Sequence, residues 1–254
     1  VRTVRVIGIG AGDPEQITVQ AIRELNAVDV FFVPVKRSDD GELARLRRDI
    51  CERYIEHDRY RIVEMPDPPR RRSQDTAAQR AAVAEWRERR IEQWERHLRD
   101  ELPDGGTGAF LAWGDPSLYD GTLTVLDAIL ARGNVEFAYT VVPGVSSVHA
   151  LTARHRTTLN RVGGAVQITT GRRLRDGMPD GVDDLVVMLD GDCSFRHIDD
   201  PDVEIFWGAY LGTEDEILIA GRLGDVAGEI ERVRAEARER KGWIMDTYLL
   251  RRPA

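Results

Sequence analysis

Short apolar runs, each followed by a glycine-bearing turn or by residues at helical spacing, set the framework of this chain. Val4 to Ile9 has the length and apolar character of a strand, and Ile17, Ala21, Ile22 and Leu25 then recur at the spacing of one helix face. Val28 to Val33 is the next apolar run, so the opening segment predicts a βαβ unit with a short crossover. Lys36 to Ile50 is a charged segment to which no element is assigned, and Tyr60 to Met65 predicts a third strand. The following Pro66-Asp67-Pro68-Pro69-Arg70-Arg71-Arg72 excludes a helix through its prolines and concentrates positive charge. From Gln74 to Leu102 the pattern predicts one long helix, with Val83, Trp86, Ile91, Trp94, Leu98 and Leu102 on one face and Arg and Glu on the other. Those aromatic positions read as core rather than as a cofactor-binding stripe. Pro103-Asp104-Gly105-Gly106 ends the helix, and a strand over Thr107–Ala112, a helix over Leu123–Ala131 and a strand over Val135–Val142 complete a five-strand α/β half.

Beyond Pro143 the periods describe a second, mixed α/β unit. Helices are predicted over Val145–Arg154 and Val226–Arg240, and strands over Ala165–Thr169, Asp184–Leu189, Ile205–Tyr210 and Ile244–Leu250. The expected fold class is therefore α/β in two domains, residues 1–142 and 143–254.

Composition narrows the partners. A chain of 254 residues with 42% hydrophobic content can bury the core of one large domain or of two smaller ones. The 36 Lys and Arg against 44 Asp and Glu leave a net charge of −8, which argues against nucleic acid as the main partner. Cys51 and Cys193 stand far apart with no Cys or His at ligand spacing, so neither a disulfide framework nor a metal site is expected. No apolar run approaches the roughly 18 residues that a membrane-spanning helix needs, and the N-terminus has no signal-peptide pattern. A soluble cytoplasmic protein without a membrane partner is the expectation.

The candidate chemistry sits in the turns. Gly8-Ile9-Gly10-Ala11-Gly12-Asp13-Pro14 follows the first strand, where dinucleotide-binding folds keep their phosphate loop. Asp13 occupies the position of the third glycine of that fingerprint, and Pro14 removes a backbone donor that would cradle a pyrophosphate. The second strand runs into Val33-Pro34-Val35-Lys36-Arg37 instead of ending on a ribose-binding acid. A dinucleotide site is thus excluded twice, and a cationic ligand group suits the turn better. Two further turns, Trp113-Gly114-Asp115-Pro116-Ser117-Leu118-Tyr119-Asp120-Gly121-Thr122 and Pro143-Gly144-Val145-Ser146-Ser147, also follow apolar strands. In a parallel sheet such turns gather on one edge, where they can line one pocket. Asp13 can either cap the first helix, with Gln16 as partner, or face that pocket.

In these motifs and their order, together with Gly212-Thr213 after a late strand, the chain resembles the tetrapyrrole methyltransferases, the S-adenosylmethionine enzymes that build cobalamin and sirohaem. The resemblance covers nearly the whole length, with Ala11 standing where many members have proline. It implies the class III fold, two α/β domains with the cofactor in the cleft between them, and a homodimer. It implies S-adenosylmethionine as cofactor, S-adenosylhomocysteine as product, and a small-molecule tetrapyrrole, here a cobalamin precursor methylated at a ring carbon, as partner. Carried over residue by residue, it implies a cofactor site of Ala11, Trp113, Gly114, Asp115, Leu118, Ser146, Ser147, Leu189, Gly212 and Thr213. In that site Asp115 would accept a hydrogen bond from the methionine ammonium, unless it caps the next helix instead.

A tetrapyrrole precursor carries acetate and propionate arms, which arginine binds through its planar fork. Arg70 and Arg172 are the first candidates, with Arg45, Arg47, Arg48, Arg71, Arg72, Arg154, Arg156, Arg161 and Arg173 behind them. Methyl transfer itself asks for alignment more than for acid or base groups. Tyr119, Asp13 and His155 are candidates, by position only, for any step that needs a base. Methylation at another ring carbon, and ligand binding without turnover, stay open as alternatives.

Overall fold

The computed structural model describes residues 1–35, 42–69 and 76–253. Arg70, Arg71 and Arg72, and the predicted helix start at Gln74, lie outside the described residues. Two compact units divide the chain: Val1–Gly10 with Pro14–Val145, and Ala11–Asp13 with Ser146–Ala254.

The first unit contains β1 (Arg2–Gly8), α1 (Val19–Leu25), β2 (Val30–Val35), α2 (Glu42–Tyr54), β3 (Arg61–Pro66), α3 (Thr76–Glu101), β4 (Thr107–Ala112), α4 (Thr122–Arg132) and β5 (Phe137–Val142). Its strands form one sheet in the order β3-β2-β4-β1-β5, and every pairing is parallel. The strand period of two sorts the side chains onto two covered faces. Val30, Phe32, Phe110 and Ala112 join Trp94 and Leu98 of α3, Leu102 just beyond it, and Leu126 and Ile129 of α4 in one cluster. Phe31, Ala109 and Leu111 join Leu25 of α1 and Ile50 and Cys51 of α2 in the other. Trp94 stacks on Phe110 with ring centroids 4.4 Å apart, so at Trp94 the aromatic face of α3 is core, while Trp86 is only half-buried.

The start of α1 corrects one expectation. Thr18 is its N-cap, its side chain accepting from the Ala21 N–H at 3.0 Å. Asp13 instead precedes a separate 3-10 turn over Pro14–Gln16 and does not cap the helix. The charged segment left without an element holds the first nine residues of α2, which continues to Tyr54 and whose positions Ala44, Ile50 and Cys51 are buried.

The second unit contains α5 (Ser147–His155), β6 (Val166–Thr170), the single-turn α6 (Gly171–Leu174), β7 (Asp184–Met188), β8 (Glu204–Ala209), β9 (Ile217–Arg222), α7 (Leu223–Lys241) and β10 (Asp246–Arg251). Its sheet runs β6-β7-β10-β8-β9, parallel only between β6 and β7. Trp207, Tyr248 and Phe195 fill its core. A buried polar network runs through that core: Asp246 accepts from Arg234 Nε at 2.8 Å and from the Trp207 indole at 3.0 Å. Among the described residues no helix is long and apolar enough to cross a membrane.

Candidate functional site

In the first unit, β1 lies between β4 and β5, so the turns that leave these three strands emerge side by side. Two of their glycines, Gly8 and Gly144, are packed too closely for any side chain. A Cβ on Gly8 would lie 2.6 Å from Gly144 N, and one on Gly144 would overlap the Gly114 carbonyl. Gly114 N donates to Gly10 O at 2.8 Å, which ties the first turn to the second. Asp115 ties the second to the third. Its Oδ1 accepts from Ser117 N at 2.9 Å and from the Ser117 hydroxyl, and its Oδ2 accepts from Gly144 N at 2.9 Å.

The carboxylate expected to meet an ammonium group, or else to cap α4, therefore clamps two turns with both oxygens. Capping of α4 falls to Asp120, whose Oδ1 accepts from Thr122 N at 2.7 Å. Leu118 continues the turn, its N–H donating to Asp115 O at 3.3 Å. Trp113 packs against the Ile7 and Leu25 cluster, and its buried indole Nε1 has no protein acceptor. Tyr119 follows with φ 55° and is 46% exposed.

The second unit holds the other carried-over residues. Ala11, Gly12 and Asp13 pack on Leu211, Gly212 and Thr213. A Cβ on Gly12 would collide with the Leu211 carbonyl, and one on Gly212 would lie 2.5 Å from Asp13 N. The Gly212 N–H donates to Glu216 Oε2 at 2.8 Å, and the Thr213 hydroxyl donates to Tyr210 O at 2.7 Å. Ser146 is the buried N-cap residue of α5, its hydroxyl 2.9 Å from His149 Nδ1, and the Ser147 hydroxyl lies 3.4 Å from that of Thr247.

Leu189 follows β7 with φ 53° and shows 66% of its surface to solvent. A branched apolar residue in that conformation is strained and must be held there. Asp190 does the holding. Its carboxylate accepts from Asp192 N, from the Ser194 N–H and hydroxyl, and from the Tyr248 hydroxyl at 2.6 to 3.0 Å. Burial alone would push this acid up, but the donors outweigh it and keep the group below its ordinary range. Sequence reasoning missed this role, although the residue stands directly beside Leu189.

The remaining candidates separate. Arg172 is exposed on α6, while Arg154 forms an ion pair with Glu216, Arg48 pairs with Glu64, and Arg161 is bonded to the Arg252 carbonyl. His155 Nε2 lies 2.9 Å from the Trp207 carbonyl, and its ring meets Phe206 edge to face. Burial lowers its pKa, and Nε2, facing a carbonyl, donates its N–H to β8. Among the described residues no group of three or more His, Cys, Asp or Glu could hold a metal ion.

Taken separately, the first unit offers glycine-turn backbone and the buried indole donor of Trp113, and the second offers the displayed apolar side chain of Leu189.

Comparison with known proteins agrees in kind. The family described as Tetrapyrrole (Corrin/Porphyrin) Methylases matches residues 3–227. The chain is 49% identical over 253 residues to a precorrin-6A synthase [deacetylating] from Sinorhizobium sp, covering 100% of this chain and 96% of that protein. Among solved structures it is similar to a cobalamin synthesis related protein (CobF) from Corynebacterium diphtheriae, with TM-score 0.85 and 34% identity over 99% of this chain and 98% of that one. It also shares the fold of uroporphyrin-III C-methyltransferase from Thermus thermophilus, complexed with S-adenyl homocysteine, with TM-score 0.58 and 21% identity over 98% of this chain and 91% of that one.

Proposed function

Because the chain belongs to the tetrapyrrole (corrin/porphyrin) methylases, we propose that it methylates precorrin-5 at C1 with S-adenosylmethionine and releases acetic acid, giving precorrin-6A. The observation that carries this reading is the 49% identity to a precorrin-6A synthase over the full length of this chain. S-adenosylmethionine, when bound, supplies a methyl group already activated by the positive sulfur. The protein's part in that step is to align donor and acceptor carbon and to exclude water. Loss of the acetyl group carried at C20 is a second step. Water adds to its carbonyl and the carbon–carbon bond breaks, which calls for a base or an oxyanion donor.

Tyr119 is the candidate whose placement best suits that step, being exposed beside the clamped turns. Asp13 remains a weaker candidate. The cofactor residues proposed are Trp113, Gly114, Asp115 and Leu118 from the first unit, with Asp115 acting through the Gly144 turn, and Ala11, Ser146, Ser147, Leu189, Gly212 and Thr213 from the second. Arg70 and Arg172 are proposed for substrate carboxylates. A homodimer and a cytoplasmic location complete the proposal.

Incubating the purified protein with precorrin-5 and methyl-labelled S-adenosylmethionine, followed by mass spectrometry and acetate assay, is the test. A product that gains one methyl group and loses the acetyl group is expected. Methylation without acetate release would identify a sister enzyme acting at another carbon, and tight NAD binding with no response to S-adenosylmethionine would overturn the reading altogether.

A further inference from the structure

A cavity of about 190 Å³ opens within the first unit at the carboxyl ends of β2 and β4. Pro34 and Leu111 form its base, Arg47 of α2 and Arg90 of α3 flank it, and Tyr119 and Gly121 line the side toward α4. Its lining is mostly polar although it sits on a sheet edge otherwise packed with apolar side chains.

Arg90 is the unusual member. Its guanidinium lies over the rings of both Trp86 and Trp94, 5.2 and 4.8 Å from their centroids, and its side chain is only 17% exposed. Two indoles at i−4 and i+4 fix the plane of the group through cation–π contact, so little freedom is left to lose on binding. Its one carboxylate neighbour within 4 Å among the described residues is Asp67, and that ion pair lacks a hydrogen bond. Arg90 Nε faces Asp67 Oδ1 at 3.5 Å, and both atoms are buried without a hydrogen bond. The carboxylate that lines the cavity, Asp120, has Oδ1 engaged by Thr122 N. Arg47 places Nε on the Leu111 carbonyl at 2.9 Å and Nη1 on the Leu43 carbonyl at 3.1 Å, which fixes its cationic head at the same wall.

We infer that this cavity is a subsite for one carboxylate-bearing side arm of the substrate, with Arg90 as the recognising cation. The inference rests on the tetrapyrrole reading above and adds to it a residue that reading does not assign. The volume has room for a short acid chain and too little for a macrocycle, so the ring stays outside and one arm enters. A pre-oriented guanidinium favours a carboxylate over a neutral amide because both oxygens can be met at once.

Gly121 gives a test that leaves Arg90 in place. Its backbone, φ −94° and ψ −1°, suits any residue, and a Cβ there would meet only Arg90 Nη1, at 4.0 Å. Gly121→Asp installs a resident carboxylate beside Arg90, and Gly121→Asn installs the same shape without charge. Tryptophan fluorescence of the full chain is titrated with propionate and with propionamide, and the KM for the tetrapyrrole is measured alongside. The wild type is expected to respond to propionate only. Gly121→Asp is expected to bind propionate, and to show a tetrapyrrole KM, at least about tenfold worse than Gly121→Asn. Equal values for the two variants, or a wild type blind to propionate, would overturn the subsite. The propionate titration needs no turnover. A positive titration with no methyl transfer would therefore sink the proposed reaction and spare the subsite, and transfer with equal variants would do the reverse.

Discussion

At the scale of single residues, the carboxylate of Asp115 shows how a binding motif can act at one remove. Its oxygens hold Ser117 and Gly144, so its effect on a ligand passes through the shape of two turns. Asp115→Asn keeps the size but turns one acceptor into a donor facing a backbone N–H. The expected result is a loss of about 1 to 3 kcal/mol in stability together with weaker S-adenosylmethionine binding by calorimetry; unchanged affinity would confine the residue to folding. His155 makes a pH prediction. Its folded pKa lies below the ordinary 6.5, so the unfolded chain binds the extra proton first. The stability it contributes is complete above pH 6.5 and is lost as pH falls toward the lower folded value. Denaturant midpoints measured across that interval should fall with pH, and His155→Gln, which can still donate to the Trp207 carbonyl, should flatten the slope.

Residue identity was legible where backbone geometry demanded it and obscure where charge was shared. Gly8, Gly12 and Gly144 stand out in the turns because only glycine permits such contact. Arg90 carried a signal that went unused. Trp86, Arg90 and Trp94 are spaced by four, so the arginine shares the aromatic face, yet a simple division into apolar and charged sides assigns it to solvent.

At the scale of elements, the strongest periods gave the most accurate reading. The strand over Thr107–Ala112 is found with the bounds its apolar run predicts, and α3 follows its aromatic spacing. Trp94→Ala should remove the stack on Phe110 and cost about 3 to 5 kcal/mol, read as a shift of the urea midpoint without a change in slope; a loss below one unit would place the weight of α3 elsewhere. The misses have a common cause. The segment of α2 buries few apolar side chains and surrounds them with arginine, and β9 is an edge strand with both faces part-exposed, so neither shows a clean period. The cap of α1 stayed open at Asp13 because Asp13 and Thr18 are both competent capping residues, and the intervening 3-10 turn leaves the role to Thr18.

At the scale of the whole molecule, the alternation of strand and helix was enough to give an α/β chain with two sheets. The strand orders were not written in it, because β4 inserts between β1 and β2 through pairings that no local pattern encodes. The least legible feature was the ownership of Ala11–Asp13, which pack with Leu211–Thr213 while their neighbours on both sides belong to the first unit. This tripeptide sets an order of events during synthesis. The second unit cannot be finished from its own contiguous stretch, since three of its residues leave the ribosome some two hundred positions before the turn that receives them. A fragment beginning at Ser146 should thus refold with a gap at Gly212, and a synthetic peptide spanning 8–16 should raise its melting temperature; no rise would mean that the unit closes without it. The earlier tripeptide has to wait for the later turn that receives it.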